Sequence, residues 1–346
     1  MKSLSSKSAI MAAVALAAAA GLTACSDDND SPAVPGKDAI SFSVTVPKAS
    51  RAVTTTNSIN NFSVWAFVDG APYMSNVFVT KQSDMWTYTP TMYWPADDKP
   101  VNFFSISPSI PGGTIGNPDK PDIPGFVNSN GSVDLLYAVN MGQKGSVNAQ
   151  VKVNFRHAMS QVRFMLRRKA DTANTPVRVD VDGVEIVNIY SKGDFEIPRV
   201  TTSVTTTDRG DWDNLSAMTN AVIYNGEPVT LTDTPKEYNS TGYIFALPQD
   251  LAESSVSGNT YSGAYVRVRC AVYDEASGVK IWPSASTPGY VDGMAYVYFP
   301  LNGETTRYDE WEPGKAYNYT LSVGVPAGST AIDFSVTVDE YQDFVL

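Results

Sequence analysis

Residues able to do acid–base, nucleophilic or metal chemistry are few. His157 is the only histidine, which excludes a His-rich metal site. A Ser–His–Asp triad would need Ser160 or a distant serine beside His157, and at a strand corner a satisfied, partly buried histidine is the better interpretation. The chain has no Walker loop, dinucleotide fingerprint, nucleophile elbow or defensible pair of catalytic carboxylates. These observations favour a protein without catalytic residues, cofactor or metal ion.

Other polar and aromatic features have competing interpretations. Asp97-Asp98 could be half of a Ca²⁺ site, but turn chemistry explains the pair better. Asp182-Gly183 and Asp292-Gly293 are typical of hairpin turns. The six tryptophans and eighteen tyrosines could form a sugar-binding platform. Aromatic residues at alternating strand positions usually pack in the core, and only an exposed cluster would support lectin activity.

Cys25 lies where an export signal would end. Lys2 and Lys7 precede an apolar run over Ala9–Ala20, which is too short to cross a bilayer. The following Gly-Leu-Thr-Ala-Cys25 matches a lipobox, in which the cysteine is acylated before cleavage. We therefore predict a lipoprotein signal peptide over 1–24 and lipidation of Cys25. The alternative is an ordinary signal peptide with a chance cysteine.

Residues 25–38 are rich in Asp, Ser and Pro and cannot bury apolar area, so we predict a solvated tether. Acid-rich tethers after a lipidated cysteine resemble surface-export signals of some Gram-negative gut bacteria, although a plain linker is the alternative. Removing 1–24 takes two of the 25 basic residues, and 23 against 36 acidic residues gives a charge of −13. That charge repels phosphate backbones, so nucleic-acid binding is not expected.

Cys270 would be the only thiol left apart from the lipidated one, which excludes an internal disulfide. It lies in Tyr265-Val-Arg-Val-Arg-Cys-Ala-Val-Tyr273, where Val266, Val268 and Val272 share its strand face and the arginines take the other. We predict an inert core cysteine.

The pattern is β almost throughout, with short alternating or β-branched runs between Gly, Pro and Asn-Gly turns. We predict an all-β fold of two β-sandwich domains in tandem, at 39–170 and 171–346, because about 320 residues exceed what one core usually serves. The best short helix candidate is Trp212–Thr219. Pro108–Asp122 is predicted to be an irregular loop.

One phase change along the chain predicts a corner. In Val151–Phe155 the apolar residues take odd positions, whereas in Val162–Leu166 they take even ones. A single strand would turn one of these sets to water. A bulge or corner between Arg156 and Gln161 removes the conflict.

Two segments near the ends of the chain are nearly identical. Ala39-Ile-Ser-Phe-Ser-Val-Thr-Val46 and Ala331-Ile-Asp-Phe-Ser-Val-Thr-Val338 agree at seven of eight positions. Each offers four apolar side chains on one face, namely Ile40, Phe42, Val44 and Val46 in the first and Ile332, Phe334, Val336 and Val338 in the second. Segments so alike could occupy one groove, as in donor-strand exchange. They could also be ordinary strands of separate sheets, or a trace of domain duplication.

The flanks of both segments fit exchange. Cleavage between Arg51 and Ala52 would leave the first strand held only by non-covalent contacts. The second segment follows Gly324–Thr330, whose seven residues reach at most about 25 Å.

Motifs spread along most of the chain resemble the fimbrillin family, the major-fimbrium-like outer-membrane lipoproteins of anaerobic Gram-negative bacteria. Beside the sequence around Cys25 and Arg51-Ala52, they are Trp86-Thr-Tyr-Thr-Pro90, Tyr93-Trp-Pro95, Val101-Asn-Phe-Phe104 with Ser107-Pro108, Val153-Asn-Phe-Arg-His-Ala-Met-Ser-Gln-Val-Arg-Phe164 and Trp311-Glu-Pro-Gly-Lys-Ala-Tyr-Asn-Tyr319. Their order together is more specific than any one motif.

The resemblance implies two transthyretin-like β-sandwich domains in a surface-exposed outer-membrane lipoprotein. It implies maturation by an arginine-specific protease, here after Arg51, and insertion of a C-terminal strand, here Ala331–Val338, into the vacated groove of another fimbrial subunit. That subunit would be another copy or a related pilin, and the fibre would support cell adhesion. A stalk, a tip and an anchor subunit share these features. The alternatives are a tip adhesin or a monomeric surface lipoprotein that binds glycans or host proteins.

Overall fold

The computed structural model describes residues 37–44, 59–169, 176–203, 205–237, 243–257, 260–302, 309–324 and 334–340. In these residues the regular secondary structure is β-strand, and none of them forms a helix that could span a membrane. The first ten strands are β1 Phe42–Val44, β2 Asn61–Val68, β3 Ala71–Gln82, β4 Met85–Tyr88, β5 Val101–Ser107, β6 Asp122–Val127, β7 Leu136–Gln143, β8 Val151–Val153, β9 Arg156–His157 and β10 Ser160–Arg168. The remainder are β11 Val177–Glu196, β12 Asp211–Thr230, β13 Lys236–Glu237, β14 Ile244–Ala246, β15 Gln249–Asp250, β16 Ser255–Ser257, β17 Thr260–Ser262, β18 Tyr265–Asp274, β19 Lys280–Trp282, β20 Ala295–Pro300, β21 Glu310–Trp311, β22 Lys315–Val323 and β23 Phe334–Glu340.

A six-stranded sheet in the order β4-β3-β2-β5-β7-β9 organises the first part of the chain. Its central strands are apolar at nearly every position because both faces of the sheet are buried. In β2, Phe62 and Val64 pack into one hydrophobic cluster, whereas Trp65 and Phe67 pack into another on the opposite face. The pair β1-β8 covers the first of these faces.

The later part of the chain forms a sandwich of two sheets. One has the order β12-β11-β18-β19, with β20 also pairing β18 and β6 pairing β11. The other has the order β13-β10-β22-β23, with β14 also pairing β10. The inward residues of both sheets form one core, in which Val181 and Val268 of the first sheet join Phe164 and Tyr319 of the second.

A third cluster joins the two parts. Phe104 and Tyr137 come from the six-stranded sheet, and Phe195 and Leu247 come from the later part. The rings of Tyr137 and Phe195 lie 5.2 Å apart between centroids. Strand β6 adds a backbone link, since it pairs antiparallel with β11.

The predicted corner between Arg156 and Gln161 is confirmed. Strand β8 pairs with β1, β9 joins the six-stranded sheet, and β10 lies in the sheet of β22. Both apolar sets are therefore buried, although they have opposite phase. Residues 108–121 are irregular, as predicted, and β6 begins at Asp122. Since β10 pairs with β13, β14 and β22, it joins the later sandwich although it precedes the predicted boundary at 170/171, so the two-domain division stays a prediction.

Two local predictions were wrong. Trp212–Thr219 is part of β12, because its pairing with β11 overrides local helix propensity, and Asn214 and Ala217 have φ values of 52° and 56°. Asp182-Gly183 is a register shift inside β11 and not a hairpin turn. Asp292-Gly293 does form a tight turn, with φ values of 52° and 85° between the bridged Val291 and Met294.

Candidate functional site

Strand β1 pairs in parallel with β8, with Phe42 opposite Val151 and Val44 opposite Val153. The backbone N–H of Val151 donates to the carbonyl of Ser41 at 2.9 Å. On the other edge, the N–H of Ile40 donates to the carbonyl of Met92 at 2.8 Å. The segment Ile40–Val44, which contains β1, is thus hydrogen-bonded along both edges.

The side chains of this segment fill an aromatic groove. Ile40 and Phe42 are 2% and 3% exposed. Three rings surround Phe42 edge-on, at centroid distances of 5.8 Å for Phe62, 5.6 Å for Tyr88 and 6.0 Å for Phe103. Burying two such side chains stabilises by roughly 3–6 kcal/mol, so the groove is unfavourable when it is empty.

The hydroxyl of Tyr88 forms a hydrogen bond with the backbone of the segment that contains β1. It donates to the carbonyl oxygen of Ile40 at 2.6 Å and lies 3.3 Å from the carbonyl oxygen of Met92. A tyrosine hydroxyl has an ordinary pKa of about 10 and is a donor at neutral pH, and desolvation by burial raises the pKa of Tyr88 further. Sequence reasoning missed this role, and its only signal was the Trp86-Thr-Tyr88 motif.

Strand β23 has a different environment. It pairs antiparallel with β22, with Phe334 opposite Leu321, Val336 opposite Tyr319 and Val338 opposite Tyr317. It ends the order β13-β10-β22-β23, so it pairs with one strand only among the described residues. The two matching segments therefore lie in different sheets and pair in opposite senses within one chain.

Comparison with known proteins identifies the family. The structure is similar to a fimbrial protein from Bacteroides vulgatus, with a TM-score of 0.60 at 15% identity, over 88% of this chain and 99% of that chain. Putative cell adhesion proteins from Bacteroides uniformis (TM-score 0.49, 14% identity, 88% of this chain and 99% of that chain) and Bacteroides eggerthii (0.48, 13%, 90% and 98%) are also similar. No curated protein matches. A model of the family described as fimbrillin-like matches residues 48–340.

The chain belongs to the fimbrillin-like family. The predicted family and β-sandwich class are confirmed. Fimbrillin-like proteins are structural fimbrial or adhesion proteins of the cell surface and not enzymes, with other fimbrial subunits as expected partners.

Several predicted site residues lie outside the described residues. They are Cys25, Val46, Arg51, Ala52 and Ile332. Of Phe334, Val336 and Val338 the structure describes the strand and its pairing. Predicted lipidation, cleavage and strand exchange therefore stay predictions.

His157 is a satisfied core residue in this fimbrillin-like chain. Its Nδ1 lies 2.9 Å from Oδ1 of Asp134, and both side chains are buried. The hydroxyl of Ser160 donates to the carbonyl of Glu312 at 2.8 Å, so it is engaged with backbone. This confirms the structural interpretation of His157.

Cys270 is fully buried, and desolvation raises the pKa of its thiol. The predicted faces of β18 are confirmed, with Val266 and Val268 inside. Outside, Arg267 pairs with Glu185, and Arg269 pairs with Asp182 at 2.6 Å. Cys270 is therefore an inert core residue.

The tryptophans pack mainly in the core. Trp65, Trp94 and Trp311 are buried, and Nε1 of Trp311 donates to the Tyr319 hydroxyl at 2.9 Å. Asp97-Asp98 is a turn in which Asp98 accepts hydrogen bonds from Ser146. In the described part of the chain, no group of His, Cys, Asp and Glu residues could hold a metal ion.

Sequence reasoning also missed a polar cleft of about 820 Å³ between the loop before β12 and the β21–β22 turn. Arg156, Arg209, Glu310 and Lys315 contribute to its lining. Burial, followed by the nearby Glu312 and Asp250, raises the pKa of Glu310. The cleft joins residues from distant parts of the sequence, so no local motif marks it.

Proposed function

We propose that this chain is a structural subunit of surface fimbriae that assembles by donor-strand exchange. Arginine-specific cleavage after Arg51 leaves the segment that contains Ile40 and Phe42 held only by non-covalent contacts, and Ala331–Val338 of another subunit displaces it from the groove. The observation that carries the proposal is the match between this buried strand and the second segment at seven of eight positions.

The pairing of the two strands supports this proposal. The first strand contributes to a hydrophobic cluster that also holds Phe62, Phe103 and Phe155, so its loss exposes apolar surface that another strand can cover. The second strand lies at the end of its sheet order and can leave without dividing the sheet.

Trimming tests the assembly step. Protein treated with an arginine-specific protease should form an SDS-resistant ladder, whereas the Arg51→Lys variant, which keeps the charge but resists the protease, should stay monomeric. A ladder of equal length from Arg51→Lys would contradict cleavage at this site. Failure of trimmed protein to form any ladder after loss of the N-terminal fragment would contradict strand exchange.

The lipid anchor is a separate step of the same proposal. Acylation of Cys25 holds the precursor at the outer membrane until it is trimmed, and cleavage after Arg51 separates the subunit from its anchor. Cells that express the wild-type chain should incorporate labelled palmitate into the precursor, and Cys25→Ser should not. Label in the trimmed 52–346 product would contradict this order of events.

The polar cleft favours a second candidate function, that of a fimbrial tip adhesin. Its mixed lining of guanidinium, ammonium and carboxylate groups suits a polar ligand such as a glycan. Glycan-array binding by a variant lacking 331–346, lost on Arg209→Ala, would support this candidate. Unchanged binding by Arg209→Ala would place the ligand elsewhere.

A further inference from the structure

We propose that strand β12 pairs edge to edge with β12 of a second copy of this chain, antiparallel and across a two-fold axis through Asn220. The contact joins two subunits side by side through the later sandwich, whereas the aromatic groove that Ile40 and Phe42 fill lies in the first part of the chain. The inference therefore goes beyond strand exchange and does not depend on it.

The outer edge of β12 has no strand partner among the described residues. β12 ends the sheet order β12-β11-β18-β19 and pairs with β11 alone, so the backbone groups along its other edge can pair with a further strand. Proteins commonly protect such an edge with lysine, proline or a bulge. Positive φ values at Asn214 and Ala217 protect one end of β12, and a register shift after Val222 and Pro228 protect the other. Met218–Val222 lies between these features and keeps an open edge.

The same part of β12 carries no charge. Charged residues make up 18% of the chain, but none occurs between Asn214 and Gly226. The chain has a net charge of −11, so two copies repel each other as they approach. A contact along Met218–Val222 places no like charges opposite each other within the paired stretch. The uncharged edge is therefore suited to contact with a second copy of this acidic chain.

The exposed side chains of β12 lie on one face of this stretch. Alternate residues face the core, because Ala221 lies opposite the core residue Ile186 of β11. The residues between them face outward and are exposed, namely Met218 (56%), Asn220 and Val222 (54%). Two large apolar side chains thus flank a polar one on the open edge of the sheet.

This arrangement is self-complementary. In an antiparallel pair centred on Asn220, Met218 of one copy lies opposite Val222 of the other, and the two-fold axis generates the same pair again. The two Asn220 amides meet at the axis, where each supplies donors and an acceptor. A shift by two residues in either direction places Val222 opposite Asn220 or Ser216 instead. Burial of apolar area therefore selects the register centred on Asn220.

Acidic residues at both ends of β12 limit the strength of the contact. In the proposed register Asp213 of one copy lies opposite Glu227 of the other, and these like charges repel. Salt screens this repulsion, since the Debye length falls from about 10 Å at 0.1 M to about 3 Å at 1 M. We therefore expect the dimer to strengthen as salt rises, whereas a contact held by ion pairs would weaken.

Single cysteines test the register in untrimmed protein. Each variant carries Cys25→Ser, and Cys270 is buried, so the introduced thiol is the exposed one. Asn220→Cys places two thiols at the axis. Ser216→Cys is the matched control on the same face, because its two thiols would lie about 27 Å apart along the paired strands. After mild oxidation, we expect at least tenfold more disulfide-linked dimer from Asn220→Cys. Equal yields, or no dimer from either variant, would overturn the proposal.

Val222→Lys tests the edge without a disulfide. A lysine on an open edge opposes strand pairing, so we expect the dissociation constant of the Cys25→Ser dimer to rise at least fivefold in sedimentation equilibrium. Val279→Lys makes the same change at a valine that is 63% exposed between β18 and β19, and it should dimerise like the Cys25→Ser parent. A monomeric parent, or equal dissociation constants for the two lysine variants, would contradict pairing at β12.

The same variants separate this inference from the proposed function. After trimming at Arg51, Val222→Lys should still form the SDS-resistant ladder, because strand exchange does not use the edge of β12. A ladder without the salt-strengthened dimer would overturn this inference alone. A dimer without any ladder would overturn strand exchange alone.

Discussion

The two end strands have nearly the same sequence and contrasting environments. The first has Ile40 and Phe42 buried in an aromatic groove and pairs in parallel with β8. The second, β23, pairs antiparallel with β22 at the end of its sheet order. The alternation of apolar and polar residues along a strand thus determines which residues share a face, but it does not determine the partner strand or the direction of pairing.

Under the proposed exchange, one sequence serves two states. A strand that fills a closed core contributes much to stability, whereas an edge strand with one partner can leave at lower cost. In the proposed exchange, the subunit keeps its C-terminal segment at the end of a sheet and transfers it to another subunit only when that subunit's groove is vacated. The following predictions test this contrast.

Phe42→Ala should have the largest effect on the folded precursor. It removes a buried ring that contacts three other rings, so we expect a loss of about 3–5 kcal/mol in the free energy of unfolding. Denaturant unfolding of the uncleaved protein measures it. Ser43→Ala, one residue on and partly exposed, is the matched control and should change stability by less than about 0.5 kcal/mol. A Phe42→Ala loss as small as that of the control would show that the groove contributes little.

Removing 331–346 should have a smaller effect on the uncleaved subunit. Because β23 pairs with β22 only among the described residues, we expect a loss in the free energy of unfolding below that of Phe42→Ala, together with loss of donor activity in the ladder assay. Hydrogen exchange gives an independent measure, and the amides of 334–340 should exchange before those of Ile40 and Val151. Equal protection of the two strands from hydrogen exchange would contradict the expected difference in their stability.

The pairing of β6 with β11 links the two parts of the chain, and its strength bears on whether both end strands unfold together. Asp194 on β11 accepts hydrogen bonds from the N–H of Gly125 on β6, at 2.6 Å, and from Nδ2 of Asn214 on β12, at 2.7 Å. The bond from Gly125, followed by that from Asn214, holds the pKa of Asp194 below its usual range. Its charged form therefore stabilises the join between these strands.

Asp194→Asn should cost about 1 kcal/mol at neutral pH. Since the folded pKa is lowered, the contribution is complete above the unfolded pKa of about 3.9 and is lost as pH falls through the folded value. The difference in the free energy of unfolding between the wild type and Asp194→Asn should thus shrink below about pH 4. Thermal unfolding against pH measures it, with the exposed Asp211→Asn as control. A stability difference that grows on acidification would contradict the lowered pKa of Asp194 in the folded protein.

Lys152→Glu should have the smallest effect of these changes, and that effect should be on assembly alone. When Ala331–Val338 takes the place of Ala39–Val46 in the proposed exchange, Asp333 replaces Ser41 and lies diagonally across from the exposed Lys152, so charge reversal should slow ladder formation two- to five-fold at low salt. The difference should vanish near 1 M salt, where the Debye length is about 3 Å. Lys144→Glu controls for net charge and should assemble like the wild type.

Local patterns predicted much of this fold but none of its long-range pairing. The alternation Val266-Arg267-Val268 placed the inner face of β18 correctly, and the phase change between Phe155 and Val162 located the corner. Trp212–Thr219 was misassigned because its pairing with β11 lies outside any local window. The parallel pairing of β1 with β8 and the bond from Tyr88 to Ile40 join residues far apart in the chain, so only the structure reveals them.

The most direct test of interchangeability is a displacement measurement. Protein cleaved after Arg51 keeps a labelled N-terminal fragment in the aromatic groove that Ile40 and Phe42 fill, and a peptide covering 331–340 is added in excess. We predict release of the fragment while the protein stays folded, with little release by the same peptide carrying Phe334→Ala. Retention of the fragment until the protein unfolds, or equal release by both peptides, would contradict the claim that the two segments share one groove.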